Sequence, residues 1–184
     1  MRYLASPAQL RASVLRWALF TIPAVLGLGF LSGVVAGSGA ANPWFSALVK
    51  PAIYPPPQTF GIAWTALYIL MGLALAIVIA ARGAPGRRTA VVAFVIQMML
   101  NLAWSPAFFA LHRISLALAI ICALVIGVAV VTAMFWRVRR LAGTLLLPYL
   151  AWVCFAALLN LQILQLNPDA DGAADPDTAV RVQL

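Results

Sequence analysis

Residues 97–109 read QMMLNLAWSPAFF, an apolar run that still carries two amides, a Trp and a Pro. At helical spacing Gln97, Asn101, Trp104 and Phe108 fall at i, i+4, i+7 and i+11, so one stripe presents polar groups and aromatic faces together. An uncompensated amide is costly in hydrocarbon, so this stripe is expected to face other helices, a cavity or a bound ligand. Pro106 has no N–H for the carbonyl of Leu102, which predicts a bend one turn past Asn101 and an acceptor in need of another donor. On these residues alone the plainer reading is interhelical glue, a common use of Asn and Gln in membrane helices.

Working outward, the composition sets the class. The 184 residues are 65% hydrophobic and only 9% charged, with a mean hydropathy of +1.02, which describes an all-α polytopic membrane protein without a sizeable soluble domain. Five charge-free runs, at about 17–37, 60–81, 90–111, 115–136 and 142–166, reach the ~20 residues that a bilayer core requires. They predict a bundle of five transmembrane helices over 17–167. Basic residues alternate with the loops. Arg2, Arg11 and Arg16 precede the first run, Arg82, Arg87 and Arg88 join the second to the third, and Arg137, Arg139 and Arg140 join the fourth to the fifth. Only Lys50, Arg113 and Arg181 fall on the other side. The positive-inside rule then puts the N-terminus in the cytoplasm and the C-terminus outside, for a bacterial inner membrane. The net charge of +8 follows from this topology and from contact with anionic lipid, not from nucleic-acid binding.

Residues 1–16 read as a basic N-terminal arm. A signal peptide is the competing reading, but the apolar run is long for one, and cleavage would leave four helices with the charge alternation out of phase. The first helix carries Gly29, Gly33 and Gly37 four apart, a stripe that lets a backbone or a flat ligand come close. Residues 38–59 form the longest connection, with Pro43, Pro51 and Pro55–Pro57 for stiffness and Trp44, Phe45 and Tyr54 as apolar anchors, and are expected to be an ordered lid over the bundle mouth. The second helix presents Phe60, Trp64 and Tyr68 in a row, continued by Met71 and Gly72. The fourth is plain Ala, Val, Ile and Leu and reads as scaffold. The fifth offers Tyr149, Trp152, Ala156 and Asn160 at i, i+3, i+7 and i+11. Three stripes thus converge beneath the Pro-rich loop, which argues for a ligand pocket. Residues 168–184 hold all four acids, Asp169, Asp171, Asp175 and Asp177, and read as a disordered acidic tail.

With every acid in that tail, no membrane carboxylate is available for proton or sodium coupling. His112 lies at a helix end, Cys122 and Cys154 sit in apolar runs, and no metal set, activated nucleophile or phosphate loop can be assembled. Neither a catalytic residue nor a cofactor is expected on these grounds. Trp17 and Trp136 suit an interfacial belt, whereas Trp44, Trp64, Trp104 and Trp152 need another explanation, and stacking on a flat aromatic ligand supplies one.

These residues together resemble the translocator protein family, also called peripheral benzodiazepine receptors or tryptophan-rich sensory proteins. The resemblance rests on Trp44, Lys50-Pro51 and Pro55-Pro56; on Trp64, Leu67-Tyr68 and Met71-Gly72; on Gln97, Asn101, Trp104, Pro106 and Phe108-Phe109; and on Pro148-Tyr149, Trp152 and Leu159-Asn160. It covers about residues 20–167 and implies a five-helix bundle, usually homodimeric, that binds porphyrins such as protoporphyrin IX and heme, sterols and synthetic aromatic ligands. By position Trp64, Asn101, Trp104, Trp152 and Ala156 would line the pocket, with Trp44, Lys50, Pro51 and Tyr54 in the lid. The family's bacterial members associate the positions of Trp64 and Trp152 with light-dependent porphyrin breakdown. Two departures stand out. After Lys50-Pro51 the chain reads Ala52-Ile53-Tyr54 where many members have Trp, and the last helix ends LNLQILQLN, without the cholesterol-recognition pattern of the animal proteins. Tetrapyrrole binding is therefore carried over best and sterol binding least.

Overall fold

A computed structural model describes residues 7–172. The elements run α1 (Pro7–Val35), α2 (Pro43–Ala47), α3 (Pro57–Ala80), α4 (Arg87–Ser105), a π-helical turn (Pro106–Ala110), α5 (Ile114–Val138), α6 (Arg140–Leu166) and a 3₁₀ turn (Pro168–Ala170). Five helices, α1, α3, α4, α5 and α6, are long and apolar enough to cross a bilayer. Round the bundle they follow the order α1, α3, α6, α5, α4, and the closing seam between α4 and α1 is the thinnest.

The helices are held together by a shared core of buried apolar side chains. At the end away from the lid, Met71, Val78, Phe94, Val128, Phe135 and Val153 are almost fully buried, and Phe94 stacks on Phe135 at 5.7 Å. Gly72 brings α1 and α3 together: a Cβ there would stand 2.6 Å from Ile22 Cα. Beside it the Thr21 hydroxyl donates to the Gly72 carbonyl at 2.7 Å.

The bend expected at Pro106 takes the form of the π-helical turn, in which Leu111 N–H donates to Pro106 O at 2.9 Å. The carbonyl of Leu102 obtains its replacement donor from α1, the Ser32 hydroxyl at 2.7 Å. That bond crosses the thin α1–α4 seam.

Three boundaries differ from the sequence reading. Helix α1 already begins at Pro7, inside the stretch read as an arm, and the connection read as 38–59 contains α2. Residues 168–172, the start of the presumed tail, fold back onto the bundle, because Asp171 Oδ1 accepts from Ser115 N–H at the start of α5 (3.1 Å) and Gly172 N–H donates to His112 O (2.8 Å). The readings of 1–6 as arm and of 173–184 as tail, including Asp175 and Asp177, lie outside the described residues.

Candidate ligand pocket

At the lid end the helices diverge around a cavity of about 360 Å³, within the range of small-molecule sites. Trp64 and Tyr68 reach it from α3, Asn101 and Trp104 from α4, Phe108 from the π-helical turn, and Trp152, Ala156 and Asn160 from α6. The stripes run at helical spacing, so each helix delivers its residues to the same side. The rings form a continuous aromatic wall. Trp64 stacks on Tyr68 at 5.2 Å and meets Trp152 edge to face at 6.4 Å, while Trp104 stacks on Phe108 at 5.2 Å.

Below this wall lies a directional chain of buried hydrogen bonds. Tyr68 O–H donates to Asn101 Oδ1 at 3.1 Å, Asn101 Nδ2 donates to the Tyr149 oxygen at 3.0 Å, and Tyr149 O–H donates to Gln97 Oε1 at 3.1 Å. Thus α3, α4 and α6 are linked where polar groups have no water to turn to. Gly29 makes room for it, since a Cβ there would lie 2.2 Å from the Tyr68 ring. A second pair links α6 to α4 and to α5: Trp104 Nε1 donates to Asn160 Oδ1 at 3.0 Å, and Asn160 Nδ2 donates to Ile114 O at 3.0 Å. Trp152 Nε1 is buried without a hydrogen-bond partner among the described residues.

The connection from α1 to α3 roofs the cavity. Asn42 caps α2 by accepting from Phe45 N–H at 3.0 Å, and its Nδ2 reaches Phe109 O at 3.3 Å. Lys50 Nζ closes the other end of α2 by donating to the carbonyls of Phe45, of Ser46 (3.0 Å) and of Leu48 (2.8 Å). Burial pulls the Lys50 ammonium below its ordinary value and pushes the Tyr54 hydroxyl above its own. Trp44 is buried between Phe108, edge to face at 5.6 Å, and the His112 ring, stacked at 4.4 Å.

Of the residues singled out from sequence, Trp64, Tyr68, Asn101, Trp104, Phe108, Trp152, Ala156, Asn160 and Tyr54 all line the cavity. Five do not. Gln97 and Tyr149 lie beneath it in the polar chain, Trp44 and Lys50 hold the roof together, and Pro51 is buried within the roof. The cavity also takes Gly29, Phe30, Gly33 and Val34 of α1, Phe45, Phe60 and Phe109 at the top, and Ile121 and Leu124 of α5. The Gly29 stripe signalled the α1 contribution. Nothing in the mostly Ala, Val, Ile and Leu sequence of 115–136 set Ile121 and Leu124 apart.

This arrangement defines a polytopic helical membrane protein with a roofed, aromatic-walled cavity inside its bundle. The sequence pattern of the TspO/MBR family matches residues 19–166, and the chain belongs to that family. It is 39% identical over 154 residues to the tryptophan-rich protein TspO of Chlorobaculum tepidum, covering 82% of this chain and 98% of that one. It is 35% identical over 156 residues to the tryptophan-rich sensory protein of Cereibacter sphaeroides, covering 82% and 92%. Against the human translocator protein the identity is 36% over 144 residues, covering 77% and 83%.

Proposed function

We propose that the chain is a membrane receptor or translocator that holds a flat, mostly apolar tetrapyrrole, protoporphyrin IX or heme, inside the bundle and senses or moves it. The observation that carries this reading is the convergence of Trp64, Trp104 and Trp152, from three helices, on one apolar cavity beneath a roof. Indole faces stack on an extended π-system, the buried amides hold the helices that present them, and the roof excludes water. The relatives' names, translocator and sensory protein, agree with binding more than with turnover. The basic residues between the helices favour the N-terminus in the cytoplasm.

The test is a titration of detergent-purified protein with protoporphyrin IX in the dark, followed by Trp fluorescence. Trp152→Phe should weaken saturable quenching, whereas Trp136→Phe, at the far end of α5 and 42% exposed, should leave it unchanged. Absent or equal quenching in all three proteins refutes the reading. A second reading, light-dependent breakdown of the bound porphyrin, draws on the close Trp64–Trp152 pair. It requires a new absorbing product on illumination that Trp152→Phe abolishes.

A further inference from the structure

Both backbone groups of Val49 are held by one side chain. Its N–H donates to Asn167 Oδ1 at 2.8 Å, and its carbonyl accepts from Asn167 Nδ2 at 2.9 Å. The carboxamide stands in for a neighbouring strand, since it offers an acceptor and a donor side by side in one plane. Asn167 itself is anchored at the end of α6, where its backbone N–H and its Nδ2 both donate to Ile163 O, at 3.0 and 2.9 Å. Residues 168–172 beyond it are tied down in turn, because Asp171 and Gly172 are bonded to Ser115 and His112.

The roof is braced at both ends of α2 and packs Trp44, Phe45 and Leu48 onto the π-helical turn and the first turn of α5, with Asn42 Nδ2 reaching Phe109 O. Asn42 caps α2 at one end and Lys50 closes it at the other. It joins α1 through Gly37 and Gly39, whose φ values of +62° and +122° lie in the region that favours glycine, and it joins α3 through the Pro-rich stretch. Both covalent attachments therefore lie on the α1–α3 side of the bundle. Asn167 adds an attachment on α6, across the mouth. Both of its bonds to Val49 are exposed, so water can replace them, as a releasable contact requires.

We propose that Asn167 is the latch that holds the roof over the cavity, and that its release is the step that admits and frees ligand. It is a positioning residue: Asn167 does not line the cavity and acts through the roof. The ligand half of this inference rests on the pocket reading above, whereas the latch does not.

The experiment compares the full chain with Asn167→Ala, which loses both bonds, and Asn167→Asp, which keeps the acceptor for Val49 N–H and loses the donor. In ligand-free protein, hydrogen exchange at the Val49 amide should accelerate about tenfold in Asn167→Ala, ~1.4 kcal/mol on opening, and less in Asn167→Asp, with core α3 amides unchanged. In stopped-flow mixing with protoporphyrin IX in the dark, the on- and off-rates should rise together while Kd moves less than about twofold. A gate that is mostly shut scales both rates with its open population and barely alters the closed one. Unchanged exchange at Val49 overturns the latch, and a faster off-rate alone overturns the gating. If the unaltered protein binds no porphyrin, the pocket reading fails while the exchange measurement still decides the latch. Should Asn167→Ala not fold, Asn167→Asp decides the same points.

Discussion

Cutting the chain of hydrogen bonds beneath the cavity should reveal how much of the bundle its amides hold. Asn101 is 6% exposed, accepts from Tyr68 O–H at 3.1 Å and donates to the Tyr149 oxygen at 3.0 Å. In Asn101→Ala the Tyr68 hydroxyl is stranded at 7% exposure, which costs ~1–3 kcal/mol. Tyr149 keeps its own bond to Gln97 and forfeits only an incoming donor, worth ~1 kcal/mol. The single substitution should therefore destabilise by ~2–4 kcal/mol. Tyr68→Phe removes one bond, at ~1 kcal/mol, yet in the Asn101→Ala background it should be neutral or stabilising, because the stranded hydroxyl goes with it. The two sites should then couple by ~1 kcal/mol or more, within the upper part of the ~0.6–1.7 kcal/mol found for interhelical bonds in membranes. Reversible unfolding of the four ligand-free proteins in detergent titrated with SDS, followed by far-UV circular dichroism, supplies the cycle. A coupling below ~0.3 kcal/mol would refute the reasoning and mean that the Tyr68 hydroxyl is satisfied from the cavity instead.

The crossing of α1 and α3 offers a sharper contrast: Gly72→Ala places a Cβ 2.6 Å from Ile22 Cα and should lower stability by ~1–3 kcal/mol, seen as a drop in Tm. Gly27→Ala on the same α1, with nothing within 4 Å, should be neutral or raise Tm. At the roof end, burial raises the Asp171 carboxyl, but the bonds from Ser115 and Ile114 and the nearby Arg113 outweigh it and hold the group below its ordinary 3.8. A lowered folded value means that the stabilisation is complete above 3.8 and is lost as pH falls through the folded value. The Ser115 amide resonance should accordingly titrate with a midpoint below 3.8 and become insensitive to acid in Asp171→Asn.

The parts of the fold that could be read from sequence are those set by local rules. Length without charge located the spanning helices, and Pro106 foretold both a departure from regular helix and an orphan carbonyl at Leu102. The identity of the donor could not be foretold. Ser32 lies seventy positions away and is one of several small residues on α1, and only the packing of α1 on α4 selects it. The same limit hid Asn167: a lone Asn after the last apolar run looks like an ordinary helix end, and its pairing with Val49 arises only when the roof folds across the mouth. Residues that act through a distant partner leave no periodic trace, whereas a stripe on one helix does.

The amides, too, divide in a way that spacing could not decide. Gln97, Asn101 and Asn160 were open to being interhelical glue or ligand contacts, and each is bonded to a side chain of another helix. Asn160 spends both its oxygen and its nitrogen, and Trp104 spends its only donor, on this bracing. The two readings are compatible at Asn101 and Asn160, because both also border the cavity. Glue of this kind fixes the angle at which the Trp104 ring faces the cavity, so a change at Asn160 that never touches a ligand would still tilt the surface on which one stacks. With most polar groups engaged within the protein, the cavity wall offers chiefly its shape and the faces of its rings, in keeping with the flat apolar ligand proposed above.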